Sequence, residues 1–206
     1  MSPTPVKGTR RARQAAETRR EILEAARRLF VERGYAATSV ADVAAAAGVA
    51  IQTIYASVGS KRALLGSLAD HLDAESGVPE ALRAIRGATD AREVIRHGVG
   101  ITRRFNEGGG DILRALASAA AVEPEMAALL AEGQRRHRAG TRSAVELIAS
   151  RWGLRDPMTT DRGAAIFATI TSIASWQGLH DDHGWSFDEI EDWMVATLVA
   201  ALAAET

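Results

Sequence analysis

The chain contains no cysteine. That excludes a disulfide framework and a thiolate metal site, and it suits a reducing cytoplasm. Aromatic residues make up only 5% of the sequence and prolines number five. No alternating apolar–polar run is bounded by turn residues, so a sheet-based core is not expected. The longest apolar runs, such as that from Met194 to Ala204, are shorter than a membrane span. The N-terminus is basic but has no apolar stretch of signal-peptide type. Catalytic constellations are missing too: no G-x-S-x-G, H-E-x-x-H, Walker A or G-x-G-x-x-G sequence occurs, and Gly108 to Gly110 has no following Gly-Lys-Ser/Thr. The expectation is a cytoplasmic, membrane-free protein that is not an enzyme and holds no metal or cofactor.

What remains is apolar, alanine-rich and helical in period, which predicts an all-α fold of about nine to ten helices. The formal net charge is −1, but it is unevenly divided. Residues 1–62 carry eleven Lys/Arg against five Asp/Glu, an excess of six, so the rest of the chain carries −7. A basic N-terminal part on an acidic remainder suits phosphate binding at one end.

The segment from Thr38 to Lys61 reads as helix, tight turn and short second helix. Ser39 and Asp42 have capping-box spacing, Val40, Val43, Ala44 and Ala47 recur at helical period, and Gly48 can turn the chain sharply. A short helix held across another presents its first side chains to the DNA major groove. Ala50, Ile51, Gln52 and Thr53 are the candidate base contacts, since Gln pairs with adenine and apolar groups touch thymine methyls. Tyr55 and Lys61 suit phosphates; Thr38 and Ser39, which cap the first helix, complete the DNA-facing set. Ahead of it, residues 1–16 read as a flexible basic arm whose Arg10, Arg11 and Arg13 can follow a phosphate backbone or enter a minor groove. Thr18 and Glu21 have capping-box spacing and predict the start of the first helix.

Leu29-Phe30, Gly34-Tyr35, Thr38-Ser39, Ala41 to Val49, Thr53-Ile54-Tyr55, Ser60-Lys61 and Leu64-Leu65 together resemble the tetracycline-repressor-like (TetR) family of bacterial regulators. Ala50 stands where a capping Ser or Thr is common in that family, Gln52 where Gly is frequent, and Val58 where a Phe usually packs. The resemblance implies a helix-turn-helix DNA-binding domain of three to four helices over residues 17–76. It also implies a helical regulatory and dimerisation domain over residues 77–206. Its implied function is a homodimeric repressor on a pseudo-palindromic duplex operator, released by a small apolar or amphipathic effector. The alternative is a DNA-binding regulator without an effector, constitutive or controlled by a partner protein.

Beyond Gly77 the spacing predicts helices at about 78–86, 90–107, 109–121, 123–151, 159–181 and 186–204. The last two are apolar on more than one side and must be covered twice, by their own domain and by a second copy of the chain. Ile166, Ile170, Ile173, Trp176, Ile190, Met194, Leu198, Ala201 and Leu202 are the candidate dimer residues. Candidate effector contacts by helix face are His97, Ile101, Thr102, Phe105, Leu113, Leu116, Met126, Leu130, His137, Phe167, Thr171 and Trp176, with the two histidines as polar anchors. Arg103-Arg104 and Arg135-Arg136 read as solvated, and so does the connecting segment His180 to His183.

Overall fold

A computed structural model describes residues 7–204: ten α-helices and one π-helical turn. Helix α1 spans Lys7–Arg33, α2 Val40–Ala47, α3 Ile51–Ser57, α4 Lys61–Glu75 and α5 Val78–Gly87. Then follow α6 Ala91–Ala120, α7 Pro124–Arg151, α8 Thr160–Ile170, α9 Ile173–Gln177, the π turn Gly178–Asp182 and α10 Phe187–Leu202. The all-α expectation is met. By packing, the described residues form two compact units. The first runs up to His71 and includes Arg114–Leu129; the second comprises Leu72–Leu113 and residues from Leu130 onward.

In the first unit α1 packs on α2 and α3. Ile22, Ala25, Ala26, Leu29 and Phe30 lie on one stripe of α1 and are all buried. Gly34 ends the helix at φ 81°. The Ser39–Asp42 capping box forms as the spacing predicts, and Gly48 closes α2 at φ 65° with its N–H bonded back into the helix. Val43 and Ile54, both fully buried, fix α2 and α3 on this core. The side chain of Arg19 donates to the Ser57 carbonyl at the end of α3 and, at 3.0 Å, to the Ser67 hydroxyl on α4. It thereby adds to the glycine end of α3, where Gly59, at φ 111°, donates its N–H to the Ile54 carbonyl at 3.0 Å.

The second unit is built around Val94, Ile95, Val99, Val145, Ile148, Phe167, Trp176, Ile190, Met194 and Leu198. Gly98 lets α6 approach α8, since a Cβ there would lie 2.7 Å from the Phe167 ring. Arginines again close helix ends. Arg104 donates to the Ser76 carbonyl after α4, and Arg151 to the Arg86 and Ala88 carbonyls at the end of α5. Half-buried Arg103 joins α6 to α10 by pairing with Glu107, Asp188 and Glu191. The expectation that Arg103-Arg104 are merely solvated is therefore corrected, whereas Arg135 and Arg136 are exposed.

Two boundaries differ from the sequence reading. Helix α1 starts at Lys7, not at the Thr18–Glu21 box. Ala, Arg, Gln and Glu dominate residues 10–17 and simply extend an existing helix, so nothing breaks it at Thr18. The arm is thus helical from Lys7 on, and residues 1–6 lie outside the described chain. The break expected around Gly108 to Gly110 is present: α6 consists of two helical stretches that meet at a kink, where Gly109 has non-helical angles (φ −149°, ψ 23°) and the Leu72 side chain leaves no room for a Cβ. The single helix expected over 159–181 is interrupted at Thr171-Ser172. There Ser172 caps α9 by accepting from Ser175 N–H, Thr171 donates to the Phe167 carbonyl and Ser175 to the Thr169 carbonyl. These hydroxyls compete with the backbone pattern of a continuous helix. The packing also departs from a division into 17–76 and 77–206, because Arg114–Leu129 joins the first unit.

Candidate nucleic-acid interface

Helix α3 is seven residues long and touches its unit through one fully buried side chain, Ile54. Ile51 (41% exposed), Gln52, Tyr55 (58%) and Ala56 face outward over one side, with Thr53 half-buried. Ala50 is the N-cap in extended backbone without a side-chain cap, and its carbonyl accepts from Thr53 N–H at 2.9 Å. The first turn of α3 therefore presents short, apolar and amide groups on a buried anchor. Burying Ile54 contributes about 1.5–3 kcal/mol to holding that anchor.

Lys61 sits where α4 begins, half-buried rather than extended into solvent. Its ammonium donates to the Ala36 carbonyl at 3.2 Å and lies 4.2 Å above the Tyr35 ring. Partial burial lowers its pKa, opposed by the field of Glu123. An ammonium has three N–H donors, so this lysine can steady the Tyr35 corner and still offer a donor to a phosphate.

Thr38 does not belong to an outward face. It is 2% exposed, and its hydroxyl bonds to the Leu29 and Gly34 carbonyls at 3.2 and 2.9 Å. A side chain that ties down the end of α1 cannot also reach DNA, so its assignment is corrected. Ser39 is exposed, with its hydroxyl engaged in the capping box. The carboxyl of Asp42 is held below its usual range by hydrogen bonds from the Ser39 hydroxyl and backbone, and by nearby Arg33. Arg10, Arg11 and Arg13 are fully helical and exposed.

The candidate effector residues are divided between the two units. Leu116 and Met126 are buried and belong to the first unit; the others belong to the second. Within the second unit Phe167, Thr171 and Trp176 are buried, whereas His97, Ile101, Thr102, Phe105, Leu113, Leu130 and His137 are half-buried. Two polar chains run through them. Trp176 Nε1–H donates to the Thr102 hydroxyl at 3.0 Å, which donates to the Val99 carbonyl at 2.8 Å. His137 Nε2 lies 2.9 Å from the Thr171 hydroxyl, which itself donates to the Phe167 carbonyl at 2.8 Å. A hydroxyl has one proton, so His137 Nε2 is the donor of that pair. Burial, and secondarily Arg138, lowers the His137 pKa.

Sequence reasoning missed Asn106. It is 6% exposed and donates to the Thr102 carbonyl at 2.8 Å, and its side-chain oxygen is buried with no partner. A single amide on the inward face of α6 is the signal that marked it.

The candidate dimer residues need correction as well. Trp176, Ile190, Met194, Leu198 and Leu202 are 0% exposed within a single chain and form its core. They cannot also cover a second copy. Ile166, Ile170, Ile173 and Ala201 remain half-buried, and α8 packs against α10. The exposed residues of this pair are Asp161, Arg162, Ala165 and Thr169 on α8, and Asp188, Glu189, Asp192, Trp193, Ala196 and Ala200 on α10. The segment His180 to His183 is exposed as expected, and His180 stacks on Phe187 at 4.4 Å. Among the described residues no group of three His, Asp or Glu is placed to hold a metal. No single described helix is long and apolar enough to cross a membrane.

This arrangement is that of a helix-turn-helix domain, a bent α2–α3 pair with an exposed second helix. Residues 22–68 match the family described as bacterial regulatory proteins, tetR family. It is 46% identical over 59 residues to the HTH-type transcriptional regulator TtgR of Pseudomonas putida, and equally to the probable regulator ArpR of the same species. The match spans 29% of this chain and 28% of each relative. The fold of the whole chain is similar to a regulator of Saccharomonospora viridis solved with choline. That likeness has a TM-score of 0.72 at 20% identity and covers 92% of this chain and all of that one. FadR of Bacillus subtilis, solved with stearoyl-CoA, is similar at a TM-score of 0.68 and 16% identity, over 87% of this chain and 97% of its own.

Proposed function

We propose that this protein is a homodimeric, sequence-specific DNA-binding transcriptional regulator of the bacterial cytoplasm, acting as a repressor that a small apolar or amphipathic effector releases from its operator. The observation that carries the reading is the outward face of α3. Ile51, Gln52 and Tyr55 are exposed on a helix otherwise fixed by Ile54, inside the domain that matches the family. Ala50, Ile51, Gln52 and Thr53 read base edges; Tyr55, Lys61 and Ser39 contact phosphates. Catalysis has no part in this reading, and it needs no cofactor.

The surface of Ala165, Thr169, Ala196 and Ala200 supports dimerisation, because small side chains allow two helix pairs to approach closely, and the exposed Trp193 beside it offers apolar area to cover. Two reading heads then address half-sites about 34–36 Å apart on a pseudo-palindrome. The second unit supports effector binding through half-buried His97, Ile101, Phe105, Leu113, Leu130 and His137, beside Phe167, Thr171 and Trp176. An effector can weaken DNA binding only by its differential affinity for the two states.

The test is selection of bound duplexes from a random library, followed by sedimentation of the complex. An inverted repeat carrying two chains is the expected result. One chain per duplex, or no preference among sequences, would overturn the reading.

A further inference from the structure

From Arg10 to Glu17, α1 is exposed on every side: eight consecutive residues, about 12 Å of helix. The same azimuth that carries buried Ile22, Ala26 and Leu29 farther along holds Arg11 and Ala15 here, and both are in solvent. Arg10 and Arg13 point to the opposite flank, since three residues of helix turn through about 300°. The arm from Lys7 to Glu17 carries four cations against the single carboxylate of Glu17.

The helix's own electrostatics do not account for this composition. Its first turn has no acidic residue, and arginines near that end oppose the helix dipole. Arginines elsewhere are seen in ion pairs: Arg20 pairs with Glu24, and Arg103 with three carboxylates. The arm also springs from beside the reading helix, because Arg19 ties α1 to the end of α3.

We infer that the helical arm Lys7–Glu17 is a phosphate-tracking element that lies along the DNA backbone next to the half-site read by α3. It reads no base, and it rests on the DNA-binding role proposed above. Twelve Å of duplex presents about seven phosphate charges, enough for Arg10, Arg11 and Arg13 to find partners on both flanks of the helix. A rigid helix holds these three side chains in one fixed spacing, which an extended arm threading the minor groove would not.

The experiment compares intact chain with Arg10→Gln/Arg11→Gln/Arg13→Gln by titrating two duplexes, the selected site and a scrambled sequence of equal length, from 50 to 200 mM salt. Loss of three phosphate contacts should make the slope of log affinity against log salt shallower by about 2.7. The affinity advantage of the intact chain should then shrink about 40-fold across that range, equally on both duplexes. A triple Arg→Lys variant should restore the slope, and circular dichroism verifies that each variant is folded. An unchanged slope, with preference for the selected site retained, would overturn the arm alone. A loss confined to the selected site would mean base reading and also overturn the backbone assignment. An intact chain with no preference for any duplex would instead remove the DNA-binding role, and the arm with it.

Discussion

Helices α3 and α10 both turn a face to solvent, and they do so in opposite ways. Helix α3 has seven residues and one fully buried anchor, Ile54, so nearly everything it carries is on display. Helix α10 has sixteen residues and buries Ile190, Met194, Val195, Leu198 and Leu202, exposing Asp188, Glu189, Asp192, Trp193, Ala196 and Ala200. A helix that reads another molecule's chemistry can be short, because it needs only a rigid mount. Under the proposed function, α10 offers its outward face to a second copy while its inward face is held firmly by its own unit.

That contrast predicts which substitutions unfold the chain and which disable it. The largest effect belongs to Leu198→Arg, which places a charge in the core of the second unit and should abolish the cooperative thermal transition. Removing a buried anchor without adding charge, as in Leu198→Ala or Ile54→Ala, should cost about 2–5 kcal/mol of stability in a denaturant titration. Ala200→Arg, close to Leu202 in sequence but on the exposed side, should leave stability within about 0.5 kcal/mol and yield monomers by sedimentation. If Ala200→Arg sediments as a dimer, the outward face of α10 is not the interface.

Smaller effects sharpen the contrast. Burial depresses the His137 pKa in the folded state, so the unfolded chain binds its proton more readily. Stability should therefore fall as pH drops below about 6.5 and level off once the folded-state pKa is passed, with a slope of at most about 1.4 kcal/mol per pH unit from this group. His137→Gln should remove that component from a pH series of melting curves. Smallest of all, Tyr35→Phe deletes a buried hydroxyl that has no partner and should raise stability by about 1 kcal/mol, seen as an increased melting temperature. The first unit would otherwise have to be satisfying that hydroxyl.

The reading head was legible in the sequence because local rules build it. Ser39 and Asp42 cap α2, and Gly48 turns the chain with φ positive; neither depends on distant residues. What escaped depended on packing across the chain. Thr38 has the look of a cap, yet it is drawn inward by carbonyls of α1 and the turn after it. The two apolar sides of α10 could not be ranked from spacing alone, since adjacent stripes differ only in which neighbour covers them. The break at Thr171-Ser172 arises from side-chain hydroxyls that spacing rules treat as neutral. The membership of Arg114–Leu129 in the first unit leaves no local trace at all.

The central claim is that the exposed first turn of α3 reads bases, twice per dimer. Its most direct test is a selection from random duplexes carried out in parallel with the intact chain and with Gln52→Ala. The account predicts an inverted repeat in both, with the preferred base relaxed by about 1–3 kcal/mol at one position of each half-site in the variant alone. An identical pattern from the two proteins, or no repeat from either, would contradict it.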